Sequence, residues 1–189
     1  MYPQLTAHLL KDIDLTTEEI QEFISVLNYQ KLKKKDLLIR PGDQVHQEHY
    51  VLKGCLHAYY LDQTGQKQII QFAVEDWWIS DFEAFFDNKP AQLFVECLEE
   101  TELLSLDKVT LEKLYTRIPK LERFFRIKVT KAFVVLRNRI LSSLQKDNKT
   151  RYIEFCEQYP NLQSRIADYH IANYLGMTPE SLSRLRKTI

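Results

Sequence analysis

Asp168 to Lys187 reads DYHIANYLGMTPESLSRLRK, and each position in it fits one local geometry. Ile171, Ala172 and Leu175 recur on one face of a first short helix. Gly176 stands where the chain must turn through a left-handed residue, and Met177 covers the corner. Thr178 is a good N-cap, Pro179 suits the first helical position because no amide is needed there, and Glu180 is favourable beside the positive end of the helix dipole. Leu182 and Leu185 point back at the first helix. Ala172 is small where the second helix crosses closely. The stretch is therefore a helix-turn-helix. Its second helix presents Thr178, Pro179, Glu180, Ser181, Ser183, Arg184 and Lys187 on or near the free side, as a helix entering the DNA major groove does. Arg184 can reach a guanine edge or a phosphate, and Glu180 can accept from cytosine N4.

Upstream, residues 117–146 carry a helical stripe with no Gly or Pro between Pro119 and Pro160. Leu121, Phe125, Lys128, Ala132, Val135, Leu136 and Arg139 are the candidate dimer face of this long helix. Phe133 and Val134 add apolar surface beyond what one small domain covers, and a second copy is a natural cover. The alternative is a helix packed only on its own domain. Lys146-Asp147-Asn148-Lys149 breaks the pattern and reads as a hinge before a small helical domain.

Further upstream the period changes. Leu37–Ile39, Tyr50–Leu52, Leu56–Leu61, Gln68–Val74, Leu93–Leu98 and Leu103–Leu106 are short apolar or alternating runs that read as strands. Pro41-Gly42-Asp43, Lys53-Gly54 and Asp62-Gln63-Thr64-Gly65 separate the first four with turn residues. Many short strands joined by such turns imply an antiparallel roll. Before them, Thr16 and Glu19 form a capping box for a short amphipathic helix carrying Ile20, Phe23, Ile24 and Leu27.

Net charge is zero over 189 residues, yet residues 1–116 hold 11 basic and 20 acidic side chains, and residues 117–189 hold 15 and 6. The basic third suits attraction to DNA phosphates. Cys55, Cys97 and Cys156 stand far apart and are odd in number, so neither a disulfide framework nor a zinc cluster is expected. The opening residues carry no secretion signal, and no apolar run is long enough for a membrane span. The expected location is the cytoplasm. No Gly-rich phosphate loop, Gly-x-Ser-x-Gly or HExxH motif occurs, so neither an enzyme nor a cofactor is expected. His46, His49 and His57 lack further ligands at suitable spacing for a metal site, and His170 reads as a surface residue of the first motif helix.

The order of these parts resembles the Crp/Fnr regulators. The tail IANYLGMTPESLSRLRK is similar to family members with ITPETLSR-like recognition helices, and Gly42 in RPGD, Gly54 in VLKG, Gly65 in DQTGQ and Gly176 fall where the family has them. The resemblance implies an α+β fold: an antiparallel, jelly-roll-like β-roll over residues 1–116, a long dimerisation helix over 117–146, and a winged-helix-type helix-turn-helix over 147–189. It also implies that Glu180 and Arg184 contact bases, while Pro179 departs from the arginine found just before that Glu in the cyclic-AMP receptor. The implied partners are double-stranded DNA, a second copy of the chain, RNA polymerase and a small-molecule effector.

The cyclic-nucleotide cassette of such proteins, roughly FGELAL followed by RxA[ST], is degenerate in EDWWISDFEAFFDNKPAQ. Trp78-Ile79-Ser80-Asp81 replaces the Gly-Glu pair and Ala91-Gln92 replaces the Arg. No arginine lies between Arg40 and Arg117, so a buried phosphate lacks its cation. Trp77, Trp78, Ser80, Asp81, Phe82 and Gln92 are the candidate lining of an effector pocket for a neutral or apolar ligand, with ordinary core packing as the alternative. The expected function is a homodimeric regulator reading a pseudo-palindrome without cyclic AMP. The competing reading is a ligand-binding or protein-interaction module of the same fold whose DNA contacts are lost.

Overall fold

The computed structural model describes residues 2–188. Helices α1 (Pro3–Leu10) and α2 (Thr17–Ser25) precede the strands β1 (Asn28–Leu32), β2 (Leu37–Ile39), β3 (Gln47–Lys53), β4 (Leu56–Leu61), β5 (Lys67–Ala73) and β6 (Trp78–Ile79). Helix α3 (Phe82–Asp87) separates these from β7 (Phe94–Cys97) and β8 (Thr101–Asp107). The rest of the chain is helical: α4 (Lys108–Arg117), α5 (Lys120–Gln145), α6 (Asn148–Gln158), α7 (Leu162–Arg165), α8 (Asp168–Leu175) and α9 (Pro179–Arg186). The capping box forms as its sequence implies. Thr16 Oγ1 accepts from the Glu19 amide at 3.2 Å, and Glu19 Oε2 accepts from the Thr16 amide at 2.8 Å.

Two sheets build the roll, with strand orders β1-β8-β3-β6 and β2-β7-β4-β5. The central pair β3 and β8 is antiparallel, with Gln47 opposite Asp107 and Val51 opposite Leu103. Alternation along β3 divides the core in two. Val51 joins Ile39, Leu56, Ile79, Phe85, Val95 and Leu103 inside the roll. Tyr50 faces the other way, onto Leu5, Leu9, Phe23, Leu111, Leu121, Phe124 and Phe125 of the covering helices. At the β3–β4 turn Gly54 has φ +108°, and a Cβ there would lie 2.5 Å from Thr101 Oγ1 and 2.8 Å from the Glu100 carbonyl oxygen. Only glycine fits.

The chain divides into two compact units, Met1–Ala58 with Phe72–Thr130, and Tyr59–Gln71 with Lys131–Ile189. The boundaries differ from a division at 116 and 146. The second unit takes the outer part of the β4–β5 hairpin, residues 59–71, and only the later part of α5. Its core gathers Tyr152, Phe155, Tyr159, Leu162, Ile171, Tyr174 and Leu182, with ring centroids of Phe155 and Tyr159 5.3 Å apart. Among the described residues no strand follows β8, so the wing implied by the resemblance is not among them; residues 148–186 are spent on four helices and their turns.

Glu48, on the helix-covered side of β3, is almost fully buried, and burial pushes its carboxyl up to about 8. A folded-state value above the ordinary 4.5 means that stability is lost as pH rises between those two values. Glu48→Gln is therefore expected to stabilise the protein by about 1–3 kcal/mol near pH 7.5 and by little at pH 4.5, as urea unfolding at the two pH values will measure. A gain independent of pH would show that Glu48 is uncharged or paired throughout.

Candidate nucleic-acid interface

The α8–turn–α9 unit is built by short-range chemistry. Gly176 takes φ +64°, and the Met177 amide donates to the Ala172 carbonyl at 2.9 Å, closing a Schellman-type end on α8. Thr178 then caps α9: its Oγ1 accepts from the Ser181 amide at 3.2 Å and its hydroxyl donates to Ser181 Oγ at 3.1 Å. Leu182 is wholly buried against α8, and Leu185 is partly buried. The far end is fixed too. Arg186 donates to Asp168 Oδ1 at 2.6 Å and to the Tyr152 hydroxyl at 3.0 Å.

Of the residues expected to face DNA, Thr178, Pro179, Glu180, Ser183, Arg184 and Lys187 are exposed; Ser181 is half-buried and engaged in the cap. Glu180 and Arg184 lie one turn apart on the same face. The Glu180 carboxyl is held below its ordinary value first by its own backbone amide at the helix start, then by Thr178. A charged carboxylate and a guanidinium one turn apart form a donor–acceptor pair of the kind that reads base edges. His170 is not on the surface. It is buried beside Tyr169, on a two-turn helix that also buries Ile171, Ala172, Tyr174 and Leu175.

The basic excess is not on this helix pair. Residues 117–146 hold nine basic side chains and one acidic, and residues 147–189 hold six and five. General phosphate attraction from the helix-turn-helix itself is thus modest, and its selectivity must come from few contacts.

Helix α5 carries a different free face from the one expected. Leu121 and Phe125 are buried in the core under the roll, and Lys128 is paired with Asp12 at 2.6 Å and donates to His8. Burial, and then the Lys128 charge, hold His8 down at about 4. Arg139 is also turned inward. The positions left exposed are Val129, Phe133, Leu136, Ile140 and Leu144, with Val134 beside them; Ala132 is exposed and Val135 half-buried. Their spacing of four, three, four and four is a seam pattern displaced by one position from the expected stripe. The displacement follows from counting Lys128 and Arg139 as polar members of the free face, when both are consumed by partners within the chain.

Arg139 and Asn173 were missed as a pair. Arg139 donates to the carbonyls of Ile69 (2.8 Å), Ile70 and Tyr174 (2.9 Å), with its guanidinium 3.9 Å from the Tyr174 ring centroid. The Asn173 amide donates to the Lys67 carbonyl at 2.6 Å and accepts from the Ile69 amide at 2.8 Å. Asn173 therefore pairs with β5 as a neighbouring strand would. These bonds clamp the hairpin strand to α5 and α8, immediately before the turn into α9. Nothing in local spacing signals this, since the bonds join positions up to 106 residues apart.

The candidate effector pocket does not assemble. On β6 successive side chains point to opposite faces, so Trp78 packs with Tyr50 and Phe125 under the helices while Ile79 enters the roll interior; Trp77, just before the strand, lies against that interior with Phe82. The Ser80 hydroxyl donates to the Gln47 carbonyl, and Gln92 is exposed. Asp81 is buried. One carboxylate oxygen accepts from the Ala84 amide, and the other from the Gln92 (2.8 Å) and Leu93 (3.0 Å) amides. The histidines are dispersed: His49 bonds Ser105 at 2.8 Å, and His57 is buried 3.5 Å from the Glu96 carboxylate. Among the described residues no group of three His, Cys, Asp or Glu side chains could hold a metal, and no helix is long and apolar enough to cross a membrane.

The cyclic nucleotide-binding domain family matches residues 29–117. The chain is 22% identical over 183 residues to the anaerobic regulatory protein of Pasteurella multocida, covering 90% of this chain and 66% of that protein's length. Among solved structures it is similar to FixK2 of Bradyrhizobium japonicum, with a TM-score of 0.74 at 18% identity, covering 86% of this chain and 84% of the other. It is also similar to the c-di-GMP responsive global regulator CLP of Xanthomonas campestris, with a TM-score of 0.71 at 13% identity over 92% and 91% of the two chains. At these identities the structural likeness establishes the fold.

Proposed function

We propose that the chain is a Crp/Fnr-type, cytoplasmic, homodimeric transcription regulator that reads a pseudo-palindromic DNA site through α9, a reading supported by its match to the cyclic nucleotide-binding domain family and its likeness to anaerobic regulatory proteins and to FixK2. The observation that carries this reading is the capped α8–turn–α9 unit, which leaves Glu180, Ser183 and Arg184 free on one face. The exposed seam on α5 supports pairing of two copies. Two-fold related recognition helices then meet half-sites about one helical turn, roughly 10 base pairs, apart. RNA polymerase is the further partner of such a dimer.

Cyclic AMP is not the signal. Where the cassette needs a cation for phosphate, this chain has Ala91 and Gln92. The Gln92 and Leu93 amides are already taken by the Asp81 carboxylate. A buried negative charge at that place repels a phosphate and occupies its donors.

The test is selection of random duplexes by the purified protein at two salt concentrations, without added ligand. A two-fold symmetric motif is expected. Binding without any motif at either salt would leave the protein-interaction reading in its place. In the same assay Arg184→Ala should relax the preference at one position of each half-site, at about 1–3 kcal/mol each. An equal loss on every sequence would show that Arg184 touches only phosphate.

A further inference from the structure

A cavity of about 690 Å³ lies within the second unit, walled by the later turns of α5, by α6, by the start of β5 and by the end of α8. Its size is that of a small-molecule site, where ligand pockets run roughly 300–1,000 Å³. The lining is mixed. Leu136, Ile140, Leu141, Phe155 and Leu175 supply an apolar surface, and Arg139, Lys146 and Arg151 supply three cations against the single carboxylate of Glu154. That carboxylate is already committed to Lys146 and to the Ser142 hydroxyl, which hold it below its ordinary value.

Two donors in this wall have no acceptor among the described residues. Arg151 Nε and Gln158 Nε2, two turns apart on α6, are both buried without a hydrogen-bond partner. A buried donor left unpaired costs about 1–3 kcal/mol, and more when it belongs to a charged group. Arg139 differs, because three of its N–H protons are taken by carbonyls, yet those carbonyls do not cancel its charge. The cavity therefore combines an uncompensated positive charge, two waiting donors and an apolar floor.

We propose that this cavity binds an amphipathic organic anion, a carboxylate or sulfonate on an apolar body, with its acidic head on Arg151 and Gln158 and its body against Phe155 and Ile140. The occupant sits beside the Arg139–Asn173 clamp and touches α5, α6 and the turn before α9 together. Leu136 and Ile140 belong to the exposed α5 seam, so a second copy paired there roofs the cavity.

The test uses the full chain and no DNA, so it stands or falls apart from the DNA-reading proposal. The probe is 8-anilinonaphthalene-1-sulfonate, followed by fluorescence, with decanoate and 1-decanol as competitors of equal chain length. Expected are one saturable site per chain, and displacement by decanoate at concentrations about tenfold or more below those needed for decanol, the tenfold being one charge-assisted contact. Arg151→Gln should weaken the probe about tenfold and leave decanol competition unchanged. Ser143→Trp, at an exposed position on the cavity wall, should block the probe in a folded protein of unchanged circular dichroism. The proposal is overturned if decanol competes as well as decanoate, or if both variants bind the probe as the parent does.

Discussion

Phe133→Glu is expected to raise the dissociation constant of the dimer by at least about 100-fold, with the protein still folded, as sedimentation equilibrium will measure. The side chain is 64% exposed in the single chain, so the substitution disturbs no packing within it. In a two-fold seam the new carboxylate enters twice and loses its water without gaining a partner. Removing one unpaired charge from water costs several kcal/mol, which exceeds the roughly 3 kcal/mol that 100-fold requires. Palindromic DNA should then be bound only as half-sites. Leu121→Glu provides the contrast: Leu121 is fully buried beneath the roll, and its loss should unfold the first unit rather than separate two copies. An unchanged dimer in Phe133→Glu would place the interface elsewhere.

Asn173→Ala is the second large effect, and its readout is local. The Ile69 amide donates to the Asn173 side chain at 2.8 Å, and the Lys67 carbonyl accepts from it at 2.6 Å. Truncation removes both bonds, a loss of about 2–3 kcal/mol, so hydrogen exchange at Ile69 should accelerate roughly 100-fold. Asn173→Asp keeps the acceptor for Ile69 and loses the donor to Lys67, and it should protect Ile69 better than alanine does. If Ile69 stays protected in Asn173→Ala, the hairpin is held by Arg139 alone, through Ile69 and Ile70. A freed hairpin also frees α8, so weaker and less spacing-selective DNA binding should accompany the exchange.

What could be read in advance followed from how local each cause is. The α8–turn–α9 unit is fixed by Gly176, Thr178 and Pro179 within a dozen residues, and it stands as its sequence implies. The strands β2, β4 and β5 likewise declare themselves by apolar runs between turn residues. Helix α1 did not, because eight residues give two turns of periodicity, and Leu5 and Leu9 become core only through contact with the outer face of the roll. Strand β1 is half exposed and polar, and it earns its place by pairing with β8. The same distinction separates the candidate sites. Trp77 and Trp78 are adjacent in sequence, yet Trp77, just before β6, packs against the roll interior and Trp78, the first residue of β6, packs under the helices. Arg139 and Asn173 look like ordinary helix-surface residues until the fold brings β5 beside them.

The Asn173 contact has a bearing on solubility as well as on geometry. In the order β2-β7-β4-β5 the strand that it pairs with is the last of its sheet, whose outer row of amides and carbonyls has no further strand to meet among the described residues. Such an edge invites the same edge of another molecule, and naturally occurring sheets cover it. One asparagine from a helix and one arginine from another do that here. The protein's resistance to edge-to-edge aggregation is therefore tied to the same few bonds that seat its DNA-reading helices, and any signal that loosens those bonds also bares a strand that can recruit its own kind.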